Sequence, residues 1–145
     1  MIFEGKILAP KRGQRVWEAR VPDLGVFTQG KSEKNAYAMT ADAIETLVGR
    51  KGFRATVVPF GRGKFLVGAN DSRPLIARWL FRMRVDKGLT LRAVASRMGA
   101  GSSEAWARYE RGRVSPTVEK LEELLHAVDP DARFVLRRVL APSQG

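Results

Sequence analysis

The chain of 145 residues has room for one ordinary domain or two small ones, and at 44% hydrophobic it can bury a core. It holds no cysteine and one histidine, which excludes disulfides, thiolate metal sites and a histidine-rich metal centre, and it has no run of about 18–20 apolar residues to span a membrane. A formal charge of +11 favours an anionic partner, nucleic acid first, with an acidic protein or an anionic membrane left open.

In chain order, residues 1–9 set Phe3, Ile7 and Ala9 on one face of an extended segment, with Glu4 and Lys6 on the other. These first residues also lack the charged start and apolar stretch of a signal peptide, so a cytoplasmic location is expected. Residues 15–21 alternate in the same way, Trp17, Ala19 and Val21 against Glu18 and Arg20. Pro22-Asp23-Leu24-Gly25 reads as a turn and Val26-Phe27-Thr28 as a short third strand. Ser32 then caps a helix through Val48, with Tyr37, Thr40, Ala41, Ile44, Leu47 and Val48 as its buried stripe and Gly49 as its end. Residues 53–58 are β-branched and aromatic, Gly61-Arg62-Gly63 is a turn, and residues 65–67 have the composition of another short strand.

The period changes after Ala69-Asn70-Asp71-Ser72. Pro74 suits a first helical turn, and Ile76, Leu80 and Met83 recur on one face until Lys87-Gly88. Thr90 caps a short helix to Met98, Ser102 caps another to about Arg111, and Ser115-Pro116 opens a fourth with Val118, Leu121, Leu124, Leu125 and Val128 inward. Residues 133–138 favour a final strand. His126 reads as a helix C-terminal side chain that suits the helix dipole. The expected fold is therefore α+β: a small βββαβ domain over residues 1–70, then an all-α domain over residues 71–145. Charge does not separate them, with 12 basic and 6 acidic residues through Asn70 and 14 and 9 after it.

Two short helices joined by a glycine turn have a physical logic. Ala95 lets the next helix cross closely, and Gly99 can leave the helix at positive φ. Trp106 and Tyr109 face the core, which puts Ser103, Glu104, Ala107 and Arg108 on the outward face. The stretch from Pro74 to Val128 resembles the helix-turn-helix of the lambda-repressor and Cro type (the XRE family). The resemblance rests on Arg84, Lys87-Gly88-Leu89-Thr90, Ala95, Gly99, Trp106-Ala107-Arg108-Tyr109-Glu110-Arg111-Gly112 and Ser115-Pro116-Thr117. It implies a structural ion pair between Arg84 and Glu110, and DNA contacts from Thr90, Arg92, Ser102, Ser103, Glu104, Ala107, Arg108 and Arg113. Three features depart from the family. The turn Gly99-Ala100-Gly101-Ser102 is one residue longer than usual, Leu91 replaces a frequent glutamine, and Glu104 opposes phosphate. A plain helical bundle or dimerisation module remains the alternative reading of four amphipathic helices, and in it Arg92, Arg97, Arg108, Arg111 and Arg113 are solvated surface charges.

The first half carries a second resemblance. Residues 17–30, Trp-Glu-Ala-Arg-Val-Pro-Asp-Leu-Gly-Val-Phe-Thr-Gln-Gly, precede a capped helix with Ala36, Ala43 and Ile44. That pattern resembles the HicB antitoxin domain, with a degenerate RNase H-like fold. The resemblance implies an antitoxin and autorepressor. Its first domain would neutralise a HicA-type ribonuclease toxin. Its second would bind a palindromic operator as a dimer or a dimer of dimers, with half-sites about 34 Å apart or a multiple. An antitoxin for a basic toxin should be acidic, whereas this chain is +11, so the expected toxin surface is a local patch of Glu18, Asp23, Asp42 and Glu45. A stand-alone regulator with a protein- or ligand-binding first domain is the runner-up. The third reading, a metal-dependent nuclease, needs converging carboxylates from Glu4, Glu18, Asp23, Asp42 and Glu45. The expectation is a protein that is not an enzyme and needs no cofactor or metal.

Overall fold

The computed structural model describes residues 1–140. They form two compact units, one from Met1 to Ser72 and one from Arg73 to Arg138. The last five residues of the expected second domain lie outside the described residues.

The first unit is one antiparallel sheet under one helix. Strands β1 (Phe3–Leu8), β2 (Trp17–Val21) and β3 (Val26–Gly30) make a meander. The turn between β2 and β3 is a 3₁₀ turn over Pro22–Leu24, closed by Gly25 at φ 64°. Helix α1 (Glu33–Val48) crosses one face of the sheet to β4 (Ala55–Gly61), which turns back into β5 (Lys64–Ala69). The sheet order is β3-β2-β1-β5-β4. The strand beside β1 is thus β5, and a βββαββ order replaces the expected βββαβ. The physical reason is the tight turn: Gly61, Arg62 and Gly63 all have positive φ (85°, 52° and 72°), so the chain folds straight back into a hairpin.

Alternation decides what lies under α1. Phe3 and Ile7 of β1, Ala19 and Val21 of β2, Val26 of β3 and Phe65 and Val67 of β5 are buried, with Ala36, Thr40 and Ile44 of the helix above them. Four expected members of the stripe differ: Ala41 and Val48 are half-buried, and Leu47 is 53% exposed. Tyr37 is half-buried, edge-on to Phe65 at 5.6 Å, and its hydroxyl donates to Glu33. Thr40 is buried because its hydroxyl donates to the Ala36 carbonyl one turn back.

Two glycines set the packing distance. Gly5 pairs with Phe65, and a Cβ on Gly5 would sit 2.2 Å from the Phe65 ring. Gly30 meets the first turn of α1, where a Cβ would lie 2.4 Å from the Ala36 nitrogen. Asn70 locks the hairpin's far end, accepting from Arg54 N and donating to the Gly52 carbonyl.

The second unit is helical: α2 (Arg73–Asp86), α3 (Leu91–Arg97), α4 (Glu104–Glu110) and α5 (Val118–Val128). Its core joins Ile76, Leu80, Val94, Trp106, Tyr109, Leu121, Leu124, Leu125 and Val128. Thr117, not Ser115-Pro116, opens α5, its hydroxyl accepting from Lys120 N at 3.1 Å. Val118 is therefore a first-turn residue and is 60% exposed rather than inward. The expected strand over 133–138 is also absent. This unit is wholly helical and offers that segment no strand to pair with; Phe134 instead rests edge-on against Trp79 at 6.1 Å. No helix among the described residues is long and apolar enough to cross a membrane.

Replacing Gly5 with alanine must displace the Phe65 ring from a closed position. Gly5→Ala is expected to lower unfolding free energy by about 1–3 kcal/mol, read from the urea midpoint.

Candidate nucleic-acid interface

The second unit is organised around one buried charge. The Arg84 guanidinium grips Glu110 through two parallel bonds, Nε to Oε1 at 2.6 Å and Nη2 to Oε2 at 3.1 Å. Its remaining nitrogen donates to the Leu89 carbonyl at 2.8 Å. The Trp106 indole N–H, one turn before Glu110, donates to the same carboxylate. Both charged side chains are little exposed, 13% and 11%. Four points of the chain are thereby fixed together: α2, the loop before α3, and two positions on α4.

The helix ends are set by backbone geometry. At the end of α2, Gly88 adopts φ 67°, and Leu89 N and Gly88 N donate back to the carbonyls of Arg84 and Val85. At the end of α3, Gly99 adopts φ 73°, and Ala100 N and Gly99 N donate to Ala95 and Ser96. Both are Schellman endings, which need a left-handed residue that glycine supplies without strain. They account for the turn: Gly99-Ala100-Gly101 first satisfies the carbonyls of α3, then releases the chain to Ser102.

The start of α3 is capped as the sequence suggests, Thr90 Oγ1 accepting from Ala93 N at 3.0 Å. The start of α4 differs: its N-cap is Ser103, exposed and without a side-chain cap bond, because Ser103 already has helical backbone angles, while Ser102, one residue further back, accepts from Glu104 N at 3.2 Å. Ala95 is buried at the close crossing of α3 and α4, and Arg92 points outward.

The outward face of α4 is narrower than expected. Ala107 is buried at 7%, so it is not part of an accessible contact surface. Its neighbour Trp106 and the following Tyr109 are packed inward as well, so the buried arc of α4 extends past Trp106 to include Ala107. Glu104 is exposed but engaged: Arg111, two helical turns on, holds it through both guanidinium nitrogens. The hydrogen bond from Arg111 keeps the Glu104 carboxyl below its ordinary range. Its negative charge is thus matched locally, which softens its conflict with phosphate. Arg108 is exposed, its guanidinium 5.4 Å from the Tyr109 ring centre. Arg92 and Arg113 are exposed as well.

Sequence reasoning missed two contacts. Arg97, grouped there with surface charges, donates to the Ala127 and Val128 carbonyls at 3.3 Å and closes the end of α5. Lys87 pairs with Asp129 at 3.1 Å and joins the ends of α2 and α5. An arginine near a helix end is a weak signal for the first; nothing local signals the second, because the partners are far apart in sequence. His126 is exposed in the last turn of α5.

Residues 75–133 match the family model of the helix-turn-helix domain. The second unit therefore carries a helix-turn-helix domain, with α3 and α4 as its two motif helices. No curated protein matches the chain.

The carboxylates of the first unit do not form one patch. Glu18 alternates with the buried Ala19, lies on the helix-free face of the sheet and pairs with Arg20 at 2.8 Å. Asp42 is exposed on α1, which covers the opposite face. Glu45 has a structural task, accepting from Ala55 N at 3.0 Å and tying α1 to the start of β4. Asp23 sits in the 3₁₀ turn, where burial and then Glu4 push its carboxyl above the ordinary value; Glu4 itself pairs with Lys64. Strand alternation explains the dispersal, since carboxylates on a strand and on its covering helix face opposite ways. Among the described residues no group of three or more histidines, cysteines or carboxylates is placed to hold a metal.

Removing Arg84 leaves Glu110 as an uncompensated charge in a nearly closed site. Arg84→Met is expected to cost about 3 kcal/mol or more in a denaturant titration, well above any exposed-arginine replacement. For Asp23 the sign is opposite. A carboxyl whose folded pKa is raised destabilises the fold once ionised. Asp23→Asn is therefore expected to raise the melting temperature at neutral pH, the gain fading as the pH falls through the carboxylate range.

Proposed function

We propose that this protein is a DNA-binding transcription regulator whose first unit holds a protein partner, in the manner of a HicB-type antitoxin and autorepressor. The helix-turn-helix domain carries the DNA half of the reading. Its motif helices are fixed by the Arg84–Glu110 pair, and hydroxyls lie exposed at the starts of both, Thr90 capping α3 and Ser102 accepting from Glu104 N just before α4. Helix N-termini of this kind suit phosphate oxygens, and Arg92, Arg108 and Arg113 supply exposed positive charge. Arg108, on the motif's second helix, is the candidate base reader; Arg113, just past that helix, suits the backbone.

The partner half rests on the Pro22–Gly30 segment before a capped alanine-rich helix, the pattern that resembles HicB. The partner would be a HicA-type ribonuclease toxin. The proposal includes no catalysis by this chain, in keeping with carboxylates that point in different directions. One observation favours the second reading, a stand-alone regulator: the acidic side chains expected to face a basic toxin are split between two faces, and the chain is +11. Co-expression with a short basic protein encoded beside it separates the two. Stable co-purification and loss of ribonuclease activity support the antitoxin; a failure to associate leaves the regulator.

The DNA reading is tested by footprinting on the protein's own promoter. Arg108→Ala is expected to weaken specific binding by about 1–3 kcal/mol if it reads a base edge. Arg113→Ala is expected to weaken all sequences alike and to flatten the salt dependence by about one unit of slope. Unchanged promoter binding after deletion of residues 73–145 overturns the assignment.

A further inference from the structure

The helix-free face of the sheet sets like charges side by side. Lys6 on β1 stands directly opposite Arg20 on β2 and directly opposite Lys64 on β5. On the far side of Arg20, β3 sets Phe27 opposite it. Each of the four alternates with a buried neighbour on its strand, and all are exposed, Phe27 at 67%. One row, Phe27, Arg20, Lys6 and Lys64, thus crosses four adjacent strands at about 4.8 Å per strand. Cations directly opposite one another destabilise a sheet. Arg20 and Lys64 have carboxylates beside them, Glu18 at 2.8 Å and Glu4 at 3.1 Å, in exposed pairs that contribute little. Lys6 has no ion pair among the described residues. The end of the sheet where β1 stops and β5 starts adds further charge. Its two turns are joined there, Ile7 N donating to the Gly63 carbonyl at 2.9 Å. Residues 9–16 and 61–63 carry Lys11, Arg12, Arg15 and Arg62, all exposed, and no carboxylate. At the other end of the row an open groove of about 460 Å³ runs beside Phe27, with Glu18, Arg20 and Gln29 in its wall.

We propose that this face binds single-stranded RNA, with phosphates along the cationic row and a base stacked on Phe27. Charge selects the occupant first. A row of cations that repel one another is relieved by a partner with regularly repeated negative charge, and a phosphate backbone is such a partner. The ring selects it second. An exposed aromatic beside basic side chains is a stacking platform for an unpaired base, and the groove beside Phe27 leaves room for one. Arg20, Gln29 and Glu18 line that groove with the donors and acceptors a base edge needs. An acidic protein segment would meet the charges and leave the ring unused. Duplex DNA keeps its bases stacked inside, whereas RNA offers unpaired bases in loops and single strands. A basic partner protein would be repelled from this face. The site lies wholly within the first unit and is independent of what the helix-turn-helix reads.

Anisotropy titration of a short labelled oligouridylate with the full chain should show binding that neither duplex DNA nor polyglutamate in excess displaces. Lys6→Gln with Arg12→Gln should weaken it by about ten-fold or more and flatten the plot of log affinity against log salt by about 0.7 for each cation removed. Phe27→Ala should weaken it by about ten-fold with the salt slope unchanged, the signature of a stacking contact. Lys6→Gln alone should not lower the melting temperature, because it removes two like-charge oppositions. Arg108→Ala on α4 should leave RNA binding as it is. Four results overturn the proposal: no binding of the oligouridylate, binding indifferent to the first-unit variants, displacement by polyglutamate, which makes the partner an acidic protein segment, or displacement by duplex DNA together with a loss in Arg108→Ala, which moves the site to the helix-turn-helix.

Discussion

An arginine closed away from water demands partners for its donors, and Arg84 finds them on two different stretches of chain. Two bonds go to Glu110 and one to the carbonyl that follows the end of α2. Glu110 is in turn shared with the Trp106 indole. An isolated guanidinium or carboxylate in this position would cost several kcal/mol, so each half of the pair makes the other obligatory. The demand is geometric as well as energetic. A planar fork accepts a carboxylate in one plane only, and that fixes α4 in rotation as well as in distance. The two helix endings at Gly88 and Gly99 then have a fixed frame in which to deliver Thr90 and Ser102.

The first unit obeys a different constraint, close approach of backbone and ring. Gly5 gives Phe65 its place, and Gly30 lets the last residue of β3 touch the first turn of α1. The helix crosses from that edge to the other, and Glu45 fastens it there through Ala55. A glycine beneath one end of α1 and a carboxylate at the other therefore govern how the sheet is covered.

Much of this was legible in the sequence, for local reasons. Caps and stops are written within four residues of where they act, and Ser32, Gly49, Thr90 and Gly99 take the positions that their chemistry suggests, while the cap expected at Ser102 falls one residue before the N-cap of α4. What was not legible depends on neighbours. Residues 133–138 have strand composition, but a strand needs a ladder partner and a helical unit has none. Residues 65–67 looked marginal alone, yet β1 on one side and β4 on the other make β5 a central strand. Ala107 was assigned outward by helix period, but the period gives spacing and not how wide an arc the neighbouring helices cover. Arg97 and Glu45 were read as surface charges because their partners are main-chain groups, which carry no sequence signal. The pair of Arg84 and Glu110 came from resemblance to a family, not from spacing, since 26 residues separate them.

The Schellman endings at Gly88 and Gly99 have a consequence for how such a chain can change over generations. Helix length and direction there are dictated by glycine backbone and by Arg84, none of which lies on the exposed side of α4. Ser103 and Arg108 can then be exchanged while the frame stays put, at the small stability cost usual for surface positions. Scaffold and surface are separable. Selection can retune what the exposed residues contact without first having to rescue the fold.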